Sequence, residues 1–290
     1  MPRRRFSGRW FASMAAFFAI VVAVSAFASG CGGDNKPGDS VKHPSGKTEL
    51  VFQVSTGGGF VPIEYNLTHV PEFSLYGDGT VIVVGPMIEI YPGPAMPNLQ
   101  ATEISEEAVQ AILSAAREVG LFNPTFDYGQ PSVADAPTTT ITINANGTTY
   151  QSGIYALGFE STPGNMTLEQ QQARAAVGGL LGKLTDLATF ESGEIKWEPS
   201  EFSSLAVYSL GIDPGYTPDV EPNKLDWPLG DLSTLGNAAQ PQGYRKAVIT
   251  GKDLDTLKPL LAQATQITIW ASGDREYNLM FRPLLPNETE

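Results

Sequence analysis

Apolar and polar positions alternate with period two in three places where glycine and Asp or Asn interrupt the run. These are Phe73–Tyr76 and Thr80–Val84 around Gly77-Asp78-Gly79, Thr140–Ile143 and Thr148–Tyr150 around Asn144–Gly147, and Ile267–Trp270 and Tyr277–Phe281 around Ser272-Gly273-Asp274. Each predicts a β-hairpin, because such residues supply the positive φ that a tight connection between right-twisted strands requires. Asp78, Asn146 and Asp274 are thereby accounted for as turn residues. Further strands are predicted over 50–54, 205–210 and 247–250.

Helical spacing appears three times. Ser105 caps a segment with Glu106 and Glu107 in its first turn, Val109, Ile112, Leu113 and Ala116 on one face and Gly120 as its stop. Thr167 and Gln170 form a capping box ahead of Ala173, Ala176, Val177, Leu180, Leu181 and Leu184. Gly178, Gly179 and Gly182 weaken that helix, by up to about 1 kcal/mol each relative to Ala, unless they admit a close backbone neighbour. A third helix starts near Thr250 or Gly251, with Leu254, Leu257, Leu260 and Leu261 in phase and Pro259 as a kink or a late start.

Consecutive hairpins with few helices predict an α+β fold, antiparallel sheets with helices packed on one face. The order strands, helix, hairpin occurs in both halves of the chain. Two similar units are therefore expected, 48–190 with a bridging helix and 191–290, although their residues share little identity.

The first thirty residues have a different pattern. A basic stretch with Arg3, Arg4, Arg5 and Arg9 precedes an apolar run from Trp10 to Phe27 and the small residues Ala28, Ser29 and Gly30. That is a signal peptide, residues 1–30. A membrane span is the alternative, since the run is just long enough for a hydrocarbon core of about 30 Å. The cysteine next in the chain decides between them: Ala28-Ser29-Gly30-Cys31 resembles the bacterial lipobox, with Ala28 where that motif usually has leucine. The resemblance implies diacylglyceryl modification of Cys31 and cleavage before it, which makes Cys31 a lipidation site and the membrane a partner through the lipid. Each buried methylene adds about 0.8 kcal/mol, so two acyl chains hold where one would not. Arg3-Arg4-Arg5-Phe6 also fits a twin-arginine export signal, and both export routes stay open. Residues 31–47, rich in Gly, Asp, Lys, Pro and Ser, are expected to form a flexible tether.

Charge and residue usage then exclude several chemistries. The formal charge of −13 becomes −17 when the signal's four arginines are lost, a field that disfavours nucleic acid and favours cationic partners. Cys31 is the only cysteine, so neither an intrachain disulfide nor a Cys-based zinc site is expected. Of two histidines, His43 falls in the tether and His69 stands alone, the sole residue on which a Ser-His-Asp triad could be built. Gly178–Lys183 fails as a phosphate loop, with Val177 at a glycine position and Leu184 where Ser or Thr belongs. No cofactor is expected.

The segment from Asp213 to Gly243 has no periodicity and carries five prolines among acids and aromatics. Its Asp213, Tyr216, Asp219, Asp226, Trp227 and Asp231 are the candidate ligand-binding residues, since long structureless connections are often functional. Carboxylates there suit calcium, though no EF-hand spacing is present, and rings beside acids suit a glycan or a cationic peptide. The plainer alternative is a proline-stiffened loop around a sheet edge with Trp227 packed inward.

Phe73–Val81, Ala136–Thr140 and Phe281–Pro286 are similar to segments of uncharacterised actinobacterial lipoproteins. That resemblance implies a surface location and no particular reaction. The sequence thus leads to the expectation of a non-enzymatic, lipid-anchored, extracytoplasmic binding or scaffolding module for an envelope protein, peptide or glycan. An extracytoplasmic hydrolase using carboxylates and a calcium-stabilised module are the alternatives. Mass spectrometry of the native protein is expected to find an N-terminal Cys31 carrying diacylglycerol, and Cys31→Ser is expected to abolish that modification.

Overall fold

The computed structural model describes residues 40–159, 165–213, 215 and 219–288. Cys31 and the signal segment lie outside them, and among the described residues no helix is long and apolar enough to cross a membrane. In chain order the elements are β1 (Leu50–Gly57), α1 (Ile63–Thr68), β2 (Phe73–Tyr76), β3 (Thr80–Val84), β4 (Leu99–Glu103), α2 (Glu106–Glu118), β5 (Thr138–Ala145), β6 (Thr148–Tyr155) and α3 (Leu168–Leu184). After them come β7 (Glu198–Pro199), β8 (Ser204–Gly211), β9 (Lys224–Asp226), β10 (Asn237–Ala238), β11 (Arg245–Thr250), α4 (Gly251–Leu261), β12 (Ile269–Ser272) and β13 (Arg275–Pro283). The fold is α+β: a seven-stranded antiparallel sheet, a six-stranded mixed sheet and four α-helices among the described residues. Ser40–Glu290 packs as one unit.

The first sheet runs β6-β5-β1-β2-β3-β4-β7. Its strands alternate as predicted, so Phe52, Val54, Phe73, Leu75, Val81, Ile141 and Ile143 face α2 and α3 in the larger core. Two of the predicted hairpins build it. Asn146 and Gly147 both have positive φ, the two-residue turn that matches strand twist. At the other, a Cβ on Gly79 would strike the Ile104 carbonyl, so only glycine fits there.

Helix α2 begins and ends as its sequence predicts. Ser105 accepts the Ala108 N–H, and at the far end Leu121 N–H donates to Ala116 O while Gly120 N–H donates to Arg117 O. With Gly120 at φ +86°, this is a Schellman ending, and buried Leu121 supplies its hydrophobic contact. In α3 the capping box forms, but no close backbone neighbour explains the glycines. A Cβ at Gly178, Gly179 or Gly182 would meet nothing within 4 Å. Arg174, which carries no sequence signal, is fully buried and donates to the carbonyls of Tyr155 and Ala156.

The second sheet runs β10-β11-β8-β13-β12-β9 and buries Leu205, Val207, Trp270, Leu279 and Phe281 against Leu254 and Leu257 of α4. Helix α4 starts at Gly251 and carries Pro259 in its last turn, where the missing N–H removes the one bond to Asp255 O and Ala262 N–H still donates to Lys258 O. Both halves contain strands, helix and hairpin in that order, yet the hairpins dock differently. The central β1 pairs with the first strand of its hairpin, β5, whereas β8 pairs with the second strand of its own, β13. The first sheet also draws β7 from beyond residue 190, so the two sheets part between Pro199 and Ser204.

Residues 40–47, expected as the end of a flexible tether, are packed instead. Val41 is 1% exposed and exchanges two hydrogen bonds with the Gln110 side chain, Lys42 O accepts Asn146 N–H, and His43 lies 3.1 Å from Glu106. One apolar residue in a polar stretch suffices because α2 and the β5–β6 turn leave a place for it.

A third apolar cluster joins the sheets. Tyr76, Ile82 and Leu99 on the back of the first sheet meet Val70, from the connection between α1 and β2, and Leu285 of the C-terminal tail. Tyr76 Oη donates to Asn287 at 2.7 Å, and Arg282 forks onto Glu288 at 2.6 and 3.0 Å while its Nε donates to His69 O at 2.6 Å. Leu285→Ala is expected to cost about 2–5 kcal/mol by emptying this cluster. Gly179→Ala is expected to stabilise by up to about 1 kcal/mol, since its methyl group meets open space. Urea unfolding of the two variants checks both.

Candidate functional site

The described part of the segment from Asp213 to Gly243 contributes Asp213, Pro222 and Lys224 to a hollow of about 780 Å³ shared with Asp274, Arg275, Glu276 and Tyr277. It is a strap that crosses the second sheet on its α4 side and supplies both edges, β9 beside β12 in parallel and β10 beside β11 antiparallel. Trp227 is 7% exposed, packs edge-on to Trp270 at 5.8 Å and donates its indole N–H to Leu229 O. Leu232 is buried in the same core. Trp227 is thus a core residue, and its ring is removed from any ligand surface. Asp231 caps a short 3-10 turn, accepting the Ser233 N–H and hydroxyl, which hold its carboxyl below the usual range. Asp213, Asp219 and Asp226 are exposed, with Asp226 on edge strand β9, and Tyr216 lies outside the described residues. Among the described residues no three His, Cys, Asp or Glu side chains come together as a metal group.

A more apolar cleft lies elsewhere. The last turns of α3 and the ends of β1, β2 and β3 border a cleft of about 670 Å³. Its floor is Val54, Phe73 and Val83, one wall is Leu181 and Leu184 from the last turns of α3, and the other is Trp197 with Pro86. Thr56, Glu72, Gln100 and Thr185 are the polar groups at its margin. Mostly apolar clefts of this size with a few placed polar groups are the usual form of a ligand site.

Among the described residues Glu72 is the only charged one in the lining. Its side chain is 45% exposed, and Oε2 accepts the Thr56 N–H at 2.9 Å. Desolvation raises its pKa, offset in part by that bond and its own backbone N–H. Behind it, His69 Nε2 stands 3.8 Å from Glu72 Oε1 and 3.2 Å from Ser55 Oγ, beneath the Tyr65 ring at 5.6 Å. Ser55, His69 and Glu72 are therefore neighbours, as a hydrolytic triad would need. Their roles do not match one, because a triad sets the hydroxyl and the carboxylate on opposite ring nitrogens and here both face Nε2. Alternation along β1 also turns Ser55 away from the cleft side, where Val54 and Thr56 point.

Apolar surface continues past the lip. In the connection between β3 and β4, Met87 is 46%, Ile88 67%, Ile90 58% and Tyr91 70% exposed. Such a contiguous apolar stretch marks an interaction surface more often than chance exposure does. A signal for it stood in the sequence: Met87-Ile88-Glu89-Ile90-Tyr91 is an apolar run closed by Pro86 and Pro92, neither of which suits a central strand. Glu72 and Leu181 carried no such signal, since one precedes a hairpin and the other continues a helical stripe.

No protein-family model matches the chain, and no curated protein or solved structure matches it.

Burial, and then the charge of Arg282, hold the His69 imidazole below its usual pKa of 6.5. The fold thus favours the neutral ring, and the stability this contributes is complete above pH 6.5 and lost as pH falls through the lowered folded value. Glu72 acts in the opposite sense, because a carboxyl raised by burial gains stability on protonation. Chemical denaturation at neutral and at about pH 5 is expected to give a smaller acid loss in His69→Gln and a larger one in Glu72→Gln than in wild type.

Proposed function

We propose that the chain is a lipid-anchored protein of the cell envelope whose folded part is a binding module rather than an enzyme. The observation that carries the binding reading is the cleft under the end of α3, apolar on three sides and continuous with the exposed Met87–Tyr91 surface. Carboxylate hydrolysis draws no support from it, since two acids must converge on one bond and the lining has Glu72 alone.

The extracytoplasmic location rests on the lipobox at Cys31 and on the likeness to actinobacterial lipoproteins. The fold is compatible with it in one respect. Ser40–Gly46 joins the domain beside Asn146 and Gly77, at the end of the first sheet that carries the β2–β3 and β5–β6 turns. The cleft opens at the opposite ends of the same strands, by Thr56, Glu72 and Val84. A partner can reach it without crossing the attachment of the N-terminal segment.

The test uses the native lipidated protein held by its own anchor on a phosphatidylcholine surface, with bare lipid as reference. A neutral decapeptide carrying Phe-Leu at its centre is expected to bind at least about fivefold more tightly than the same peptide with Ser-Ser, roughly 1 kcal/mol. Trp197→Ala, at a partly exposed wall, is expected to reduce the difference. Equal binding of the two peptides would overturn the reading.

A further inference from the structure

The charge at the cleft narrows what it holds, and this step rests on the binding reading above. Glu72 has no lysine or arginine partner among the described residues, and its one basic neighbour is His69. The nearby Arg282 is committed to Glu288 and to His69 O. A half-exposed carboxylate therefore stands at the lip of an apolar cleft with no cation of its own. Glu89 adds a second acid, in the middle of the exposed apolar stretch, and the chain as a whole is acidic at −13.

The shape beyond the lip distinguishes a chain segment from a single small molecule. The apolar surface runs on past the pocket through five residues, Met87–Tyr91, with a tight turn at Glu89 where Ile90 N–H donates to Ile88 O at 3.0 Å. Along it the backbone N–H groups of Met87, Ile88, Glu89 and Tyr91 donate to no protein group among the described residues. Free main-chain donors beside an apolar pocket suit an extended peptide, whose carbonyls can accept from them while one side chain enters the pocket.

We propose that the cleft and the Met87–Tyr91 surface together bind an extended basic segment of a partner protein. An aliphatic or aromatic side chain of that segment seats among Val54, Phe73, Val83 and Leu181, and a lysine or arginine beside it pairs with Glu72. The apolar contact supplies most of the affinity. The carboxylate supplies the sign preference and the salt dependence, as charges at the rim of an interface do.

The same anchored protein tests this with three labelled decapeptides: Phe-Leu flanked by two lysines on each side, Phe-Leu flanked by glutamates, and Ser-Ser flanked by lysines. The first is expected to bind at least about tenfold more tightly than either of the others at low salt, with the margin shrinking as salt rises. Glu72→Gln is expected to bring the affinities of the lysine and glutamate peptides closer together. Equal affinity for the lysine and glutamate versions, or an unchanged preference in Glu72→Gln, overturns the proposal even if neutral Phe-Leu binding persists. Loss of that neutral binding in the wild type overturns the binding reading instead.

Discussion

A chain without a disulfide, folding two sheets side by side, depends on how the back of the first sheet is covered. Here the cover is the apolar contact of Tyr76, Ile82 and Leu99 with Val70 and Leu285, closed over by the Arg282–Glu288 fork. The fork is half-hidden and bidentate, so it contributes geometry as much as energy. Breaking one of its partners leaves a partly buried charge uncompensated, which costs more than making the pair gains. Through Arg282 Nε on His69 O the same joint fixes the segment that ends in Glu72. The position of the cleft's one charged group is thereby tied to the packing of the C-terminal tail.

The second sheet meets a different constraint. Short sheets expose edges that invite pairing with other chains, and folds cover them in various ways. In this protein one proline-rich strap covers both edges, pinned in the middle by Trp227 and Leu232. Its acids then remain at the surface because its apolar residues point inward. Proline, acids and aromatics in this segment thus serve in part as a structural strap, and the exposed apolar stretch Met87–Tyr91 lies in the connection between β3 and β4.

Much of the architecture was legible because it is local. All three hairpins, the cap and stop of α2 and the capping box of α3 depend on residues within a few positions of one another. Strand β4 and helix α1 were not legible: Leu99–Glu103 alternates weakly, and six residues after Pro62 are too few for a helical period to show. The packed Val41 was misleading for the opposite reason, since a lone apolar residue is judged by its polar neighbours until a distant surface receives it.

By itself, the sequence determined the hairpins, the helix ends, the acidic character and the lack of any second thiol to pair with Cys31. Those depend on dihedral preferences, short-range hydrogen bonds and simple residue counts. Only the tertiary structure decided that Trp227 belongs to the core, that Glu72 has no lysine or arginine partner among the described residues and that the end of α3 borders a cleft. Each of these concerns what lies opposite a side chain across tens of residues, and neither periodicity nor composition carries that information.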